Sequence, residues 1–344
     1  MQQVTSYVYQ FRGSHYEFGQ YQARQLQQTN YLQNRSLSDG RRINKFKVDN
    51  NIITSLFKKF TPFLLEEIYG LADTLEMPLE QAFIHFGGYF AIKRSGCSIL
   101  MQDGFMVRNY DLEPSTYDGR YVLFQPTDGG YASIGPSMLI TGRTDGMNEH
   151  GLVVGYNFVN SRQQEDGFVC NMIARIVLET CKTTEDAVQL LQQLPHKHSF
   201  NYCLLDAKGD ARIVEASPRG IAVRTDIACT NHFQTLTKEN RYTMADSLNR
   251  HELISTAAFN AIPLTHAYQL LNDWDGGVFA KKYSAWDGTI HTATYEPDSL
   301  KARISFGANR MPIAFDFKLW LQGENSAVTK IKGELQSKNP FASN

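Results

Sequence analysis

The stretch R-S-G-C-S-I-L-M-Q-D-G-F-M-V-R-N-Y-D, residues 94–111, decides how this chain is read. Apolar runs flank Asp103-Gly104, a strong short-range hairpin signal, so one strand should open at Cys97 and an antiparallel partner should end near Asp111. Folding back about that turn returns residues 108–111 to the side of Cys97. Gly96 offers no side chain to hinder attack on its own carbonyl, and it tolerates strained backbone. Two readings of Cys97 stand at this point. One is a small buried strand residue, the common fate of a free cysteine. The other is a nucleophile whose own peptide bond to Gly96 is cut. Arg108 and Asp111 suit the second reading, because a thiol needs a nearby positive charge and an α-amino group needs an anionic acceptor. They also suit an ordinary ion pair at a strand edge.

Working outward, the first hundred residues are mostly helical in texture. Residues 4–11 read as a strand, Arg12-Gly13-Ser14 as a turn, and Ser14 with Phe18, Tyr21 and Leu26 as a helix to about residue 30. A polar stretch spans 29–48. Apolar residues recur at helical period over 50–74, with Pro62 splitting the run and Thr61 capping its second half. Pro78 starts a further helix reaching about Lys93. Beyond Cys97, strands are predicted at 120–125, 131–140, 143–147 and 151–158. Two helices fill 169–194, broken near Thr183-Thr184 with Thr184 as N-cap. Strands return at 201–206, 211–216, 221–224 and 227–230. Helices at 241–259 and 264–273 and strands at 289–295 and 302–306 complete the order. Strands, then helices, then strands imply an α+β protein or a layered αββα body. No Pro/Gly/Ser-rich linker divides it, so one structural domain with a helical N-terminal segment is expected.

Composition bounds the partners. Across 344 residues, 34 Lys+Arg oppose 35 Asp+Glu, and a net charge of −1 removes the broad electrostatic reason to expect nucleic acid. There is no polybasic cluster for an anionic membrane, no run long enough for a membrane helix, and no signal-peptide pattern at the N-terminus. Five scattered cysteines without C-x-x-C spacing fit a reducing, cytoplasmic setting. A small-molecule substrate is the expected partner, and a homo-oligomer is left open.

Three further clusters place polar residues where strands or helices begin or end. Asn157 interrupts an apolar run in G-L-V-V-G-Y-N, and Asn231 with His232 closes another in C-T-N-H-F. A side-chain amide there is a turn former or a neutral donor to an oxyanion. In D-S-L-N-R-H, residues 246–251, Ser247 reads as a cap and Arg250 as either a solvated residue or an inward-facing cation. His196-Lys197-His198 lacks a third ligand, so no metal is expected. No Gly-rich phosphate loop occurs, so no cofactor is expected either. Glu66-Glu67, and Asp111 with Glu113, read as exposed or turn positions. His232 could also act as base to Cys97 in an uncleaved pair.

Taken in order, F-R-G-S-H-Y-E-F-G (11–19), G-C-S (96–98), R-N-Y-D (108–111), N-E-H-G-L-V-V-G-Y-N (148–157), I-A-R-I-V-L-E (173–179), T-N-H-F (230–233) and D-S-L-N-R-H (246–251) resemble the N-terminal-nucleophile (Ntn) hydrolases. More narrowly, the chain resembles the acyl-coenzyme A:6-aminopenicillanic acid acyltransferase branch, with choloylglycine hydrolase and penicillin V acylase as more distant relatives. The resemblance implies a four-layer αββα sandwich made as a precursor that cleaves itself at Gly96–Cys97. It divides the chain into residues 1–96, a helical segment expected to stay packed on the body, and residues 97–344, the catalytic core. By similarity Cys97 is the nucleophile and its α-amino group the base. Asp111 holds that amine and Arg108 sits by the sulfur. Asn157 and Asn231 serve as oxyanion and amino-group partners, and Arg250 completes the polar network. The implied reaction is cleavage of a linear, non-peptide amide C–N bond through a thioester on Cys97, with hydrolysis favoured over acyl transfer. The alternative is an inactive or uncleaved relative that binds a small acyl amine or a partner.

Overall fold

The computed structural model describes residues 2–34, 49–89, 96–102, 104–161, 164–283 and 287–337. In chain order its strands are β1 (Gln2–Gly13), β2 (Cys97–Gln102), β3 (Phe105–Leu112), β4 (Arg120–Pro126), β5 (Ser133–Met138), β6 (Gly142–Arg143), β7 (Asp145–Asn148) and β8 (Val153–Phe158). They continue as β9 (Phe200–Leu205), β10 (Ala211–Ser217), β11 (Gly220–Arg224), β12 (Ala228–Cys229), β13 (Lys281–Lys282), β14 (Asp287–Glu296), β15 (Lys301–Phe306), β16 (Ile313–Asp316) and β17 (Lys330–Leu335). The helices are α1 (His15–Leu26), α2 (Asn50–Phe60), α3 (Pro62–Thr74), α4 (Leu79–Phe86), α5 (Cys170–Thr180), α6 (Thr184–Leu191), α7 (Ala245–Ala257), α8 (Leu264–Asn272) and α9 (Phe317–Leu321).

Two sheets carry the fold. The larger runs β11-β10-β9-β8-β7-β5-β4-β1-β17 with β6 beside β5, and the smaller runs β12-β2-β3-β14-β15-β16 with β13 beside β14. Their inner faces meet through side chains such as the stacked Tyr121 and Phe315, and Tyr110 set edge-on to Tyr156. Helices α5 and α6 cover the outer face of the larger sheet, while α7 and α8 cover the smaller. This is the αββα sandwich.

The N-terminal segment is more than a helical appendage. β1 lies inside the larger sheet, parallel to β4 and antiparallel to β17. Ser14 then caps α1 in a reciprocal box with Glu17, as S-x-x-E spacing requires. α1 crosses α3 at very short range: a Cβ on Gly19 would stand 2.1 Å from the Glu67 carbonyl oxygen, and one on Gly70 2.1 Å from that of Tyr16. Only glycine permits that approach.

Several expectations need correction. Thr183, not Thr184, caps α6, because Asp186 three residues on completes its box. Ser247 lies within α7 and is buried, so it does not cap the helix. Thr61 stands at the head of α3 without a side-chain cap bond. Glu67 and Asp111 are fully buried rather than exposed. α4 ends at Phe86, short of Lys93; residues 90–95, Asp103 of the hairpin turn and most of the 29–48 stretch lie outside the described residues. β16, α9 and β17 were not foreseen.

Candidate active site

The hairpin register sets the site. Cys97 pairs with Tyr110 and Ile99 with Arg108, so the pleat puts all four side chains on the inner face of the smaller sheet. Across the gap, β8 presents Gly155, where a Cβ would meet Ile99 Cδ1 at 3.0 Å and Arg108 Cδ at 3.2 Å. The missing side chain is the space through which Arg108 passes. Its Nη2 lies 3.4 Å from Cys97 Sγ and also donates to the Tyr156 carbonyl. Its Nη1 donates to the Thr144 carbonyl and, at 2.6 Å, to Asp145 Oδ1. The guanidinium carbon lies 4.7 Å from the Tyr110 centroid and 4.8 Å from that of Tyr156, within cation–π range of both rings.

Cys97 is wholly buried. Burial pushes its thiol up to about 11, against the opposing pull of Arg108. A thiol in that state is protonated at neutral pH and a poor nucleophile.

A second arginine holds the backbone of the same residue. Arg250, on the inward face of α7, donates from Nη1 to the Cys97 carbonyl (2.8 Å) and Ser98 Oγ (2.6 Å), and from Nη2 to Asn231 Oδ1 (2.9 Å). Asn231 Oδ1 also accepts the Cys97 N–H at 3.1 Å, and its Nδ2 donates to the Phe158 carbonyl at 2.9 Å. Ser247 fixes Asn231 in turn by accepting its backbone N–H at 2.8 Å. Cys97, Arg108, Asn231 and Arg250 are therefore brought together directly.

Asp111 and Asn157 stand one step away. Thr289 donates to Asp111 Oδ1 at 2.6 Å, and Asp111 reaches the Cys97 sulfur through its backbone N–H. Asn157 Nδ2 donates to the Cys229 carbonyl at 2.9 Å, tying β8 to the strand that leads into Asn231. His232 is not placed as a partner of Cys97: its Nδ1 faces Ser247 Oγ at 2.9 Å, and burial with nearby His251 pushes its pKa down to about 4. His196 Nε2 bonds the Leu191 carbonyl at 2.8 Å, consistent with a structural residue. Cys170, Cys181, Cys203 and Cys229 are buried and free, like Cys97.

Sequence reading missed Asp145. It is buried and accepts from Arg108, from Thr144 Oγ1 (2.7 Å), from His291 Nε2 (3.1 Å) and from Tyr295 OH (2.6 Å). Also missed is the buried chain joining the N-terminal segment to the body. Arg175 pairs with Glu179 (2.5 Å) and Glu67 (2.8 Å), Glu67 accepts from Gln22 (2.6 Å), and His15 lies 3.4 Å from Glu179.

Residues 100–311, more than half of the chain, match the model of the acyl-coenzyme A:6-aminopenicillanic acid acyl-transferase family. The matched span holds Arg108, Asp111, Asn157, Asn231 and Arg250 and begins just after Cys97. No curated protein matches the chain. Among solved structures it is similar to the conjugated bile acid hydrolase of Clostridium perfringens, at 15% identity and TM-score 0.47 over 67% of this chain and 93% of that one. It is also similar to penicillin V acylase of Agrobacterium tumefaciens (15%, TM-score 0.43, 65% and 86%). A Caenorhabditis elegans N-acylethanolamine-hydrolyzing acid amidase ortholog is a further likeness (10%, TM-score 0.41, 59% and 93%). Among the described residues no helix is long and apolar enough to cross a membrane. With the family match spanning the polar residues gathered around the start of β2, the chain belongs to the acyl-coenzyme A:6-aminopenicillanic acid acyl-transferase family, and so to the Ntn amide hydrolases and acyltransferases.

Proposed function

We propose that this chain is a precursor that cuts its Gly96–Cys97 bond and then cleaves linear, non-peptide amide C–N bonds through a thioester on Cys97. The observation that carries the reading is the double hold on Cys97, with its sulfur beside Arg108 and its nitrogen on Asn231. In the first reaction the sulfur adds to the Gly96 carbonyl and the C–N bond breaks, with the thiol proton going to the departing nitrogen. Water then hydrolyses the thioester, leaving a Gly96 carboxylate, a free Cys97 α-amine and a thiol. That amine, with a reference pKa of about 7.7–8.0, supplies a base that the precursor lacks.

In turnover the α-amine takes the thiol proton, the sulfur adds to the substrate carbonyl, and the amine product leaves with a proton. Water releases the acid, or an acceptor amine takes the acyl group; hydrolysis is favoured because water needs no acceptor site. Asn231 and Asp111 hold the α-amine, Asn157 donates to the oxyanion and Arg250 keeps Cys97 in register. The raised thiol pKa and full burial support a zymogen, since neither suits an uncut enzyme. β1 within the larger sheet and Glu67 on Arg175 support retention of residues 1–96 after cleavage. Five free cysteines support a reducing cytoplasm.

Denaturing electrophoresis with intact mass tests this directly. The 39.0 kDa chain should yield pieces of about 11 and 28 kDa by residue fraction, while Cys97→Ala stays whole and inactive. Acyl-p-nitroanilides, penicillin V and bile-salt conjugates form the substrate panel. An active protein that remains 39.0 kDa overturns the proposal.

A further inference from the structure

Asp145 belongs to the larger sheet and Arg108 to the smaller, so their ion pair bridges the two layers. Asp145 pairs across its ladder with Gly155, the residue whose missing side chain lets Arg108 through. Arg108 therefore stands between two sulfur- and oxygen-borne acceptors: Asp145 Oδ1 at 2.6 Å from Nη1, and Cys97 Sγ at 3.4 Å from Nη2. The carboxylate is itself held by Thr144, His291 and Tyr295, and His291 Nδ1 lies 3.2 Å from the Tyr117 hydroxyl. A carboxylate with this many donors, all buried, stays charged and stays put. Burial alone would raise its pKa, but His291 and Arg108 hold it well below the usual carboxylate range.

We propose that Asp145 is a positioning residue for Cys97: it fixes the Arg108 guanidinium toward the sulfur and shares its charge, setting how strongly Arg108 acidifies the thiol. This rests on the nucleophile reading above. The charged and titratable groups facing the sulfur are Arg108 and Asp111 from β3, with Tyr110, and Cys170 from α5. Those facing Asp145 are Arg108, His291 and Tyr295, with Tyr117 and Tyr121 beyond them.

Asp145→Asn is the informative change, because Asn keeps the shape. Its Oδ1 still accepts from Arg108, and its Nδ2 turns to Tyr295, whose hydroxyl accepts as well as donates. Only the charge is lost. Arg108 then acts on the sulfur undivided, and the pH midpoint for iodoacetamide alkylation of Cys97, located by peptide mass, should fall by about one unit. The thiolate fraction at neutral pH then rises about tenfold while its nucleophilicity falls about threefold, so kcat should rise by about threefold with KM unchanged. An unmoved or raised midpoint overturns the inference, since a purely structural Asp145 would change only stability. If Asp145→Asn yields no soluble protein, Tyr295→Phe replaces it. Losing that donor concentrates the carboxylate charge on Arg108, so the midpoint should rise by about half a unit, and no shift overturns the inference. The midpoint is read in whichever form purifies, so its failure is distinct from a wild-type chain that neither cleaves nor turns over, which overturns the nucleophile reading itself.

Discussion

Replacing Arg250 by Ala tests whether a single guanidinium secures the nucleophile's backbone. The comparison belongs in a Cys97→Ala background, where every chain is uncut and the backbone contacts of residue 97 persist. Arg250 is 3% exposed and serves three buried acceptors: the Cys97 carbonyl, Ser98 Oγ and Asn231 Oδ1. Asn231 Oδ1 keeps the residue 97 N–H, whereas the carbonyl and Ser98 Oγ lose this donor, and each buried acceptor left unsatisfied costs about 1–3 kcal/mol. They share one network, and water entering the space vacated by the side chain restores part of the loss, so the terms do not add. The expected cost is about 3–4 kcal/mol, in the range for breaking a buried charged contact. Its fourth contact supplies an internal control. Nε pairs with Asp246 at 2.9 Å, but the Asp246 side chain is 50% exposed, so Asp246→Ala should cost under about 1 kcal/mol. Urea unfolding reads both. At about 1–3 kcal/mol per molar, the Arg250→Ala midpoint should drop by about 1 M or more and that of Asp246→Ala by far less. Equal midpoints for the two variants would refute the assignment of the buried acceptors to Arg250.

Further outcomes follow from the same contacts. Gly155→Ala puts a Cβ 3.0 Å from Ile99 Cδ1 and 3.2 Å from Arg108 Cδ, so stability should fall by about 1–3 kcal/mol and cleavage should slow on a timed gel. Unchanged stability and unchanged cleavage together would show that the passage for Arg108 is not constrained. His232→Ala should leave turnover within about fivefold of wild type, because a base is worth 10²–10⁴ and His232 faces Ser247 instead of Cys97. A hundredfold loss would restore the uncleaved pair. Burial lowers the pKa of His15, but the Glu179 carboxylate overrides this and raises it above the ordinary 6.5. A raised histidine stabilises fully below that unfolded value and loses its contribution as pH rises through the folded pKa. Wild type should therefore lose more stability than His15→Gln between pH 6 and pH 9; parallel decline in urea midpoints would remove His15 from the account.

The hairpin at 97–112 was legible because its two strands and turn are contiguous in sequence. Cross-strand pairing then placed Arg108 near Cys97 without any knowledge of the second sheet. Asp145 was not legible: it falls inside the strand predicted at 143–147, but its partner Gly155 and visitor Arg108 meet it only through sheet assembly. Glu67 had a readable signal: it sits three residues after Leu64 and four before Leu71, within the buried stripe of α3, whereas Glu66 points out. A carboxylate in that stripe predicts a buried cation, which Arg175 supplies. K-I-K-G-E-L at β17 likewise alternates exposed and buried positions. That the strand closes over β1, more than 320 residues away, is a tertiary fact with no local trace.

The site's dependence on both sheets bears on when the chain can cut itself. The sulfur and its paired strand lie on the smaller sheet and Arg250 on its covering helix, but Arg108 is oriented by Thr144, Asp145 and Tyr156 from the larger. Until the layers close, Arg108 has no fixed counter-ion, and a solvated guanidinium acts weakly on a distant thiol. Closure buries Cys97, raises its pKa and aligns Arg108 at once, so alignment and desolvation oppose each other in the precursor. Their balance should confine cleavage to the folded state and keep it slow there. Urea titrated into freshly folded wild type therefore separates the two effects: below the unfolding midpoint cleavage should continue, and above it stop. Cleavage that persisted in the unfolded chain would mean that Gly96–Cys97 needs no assembled site.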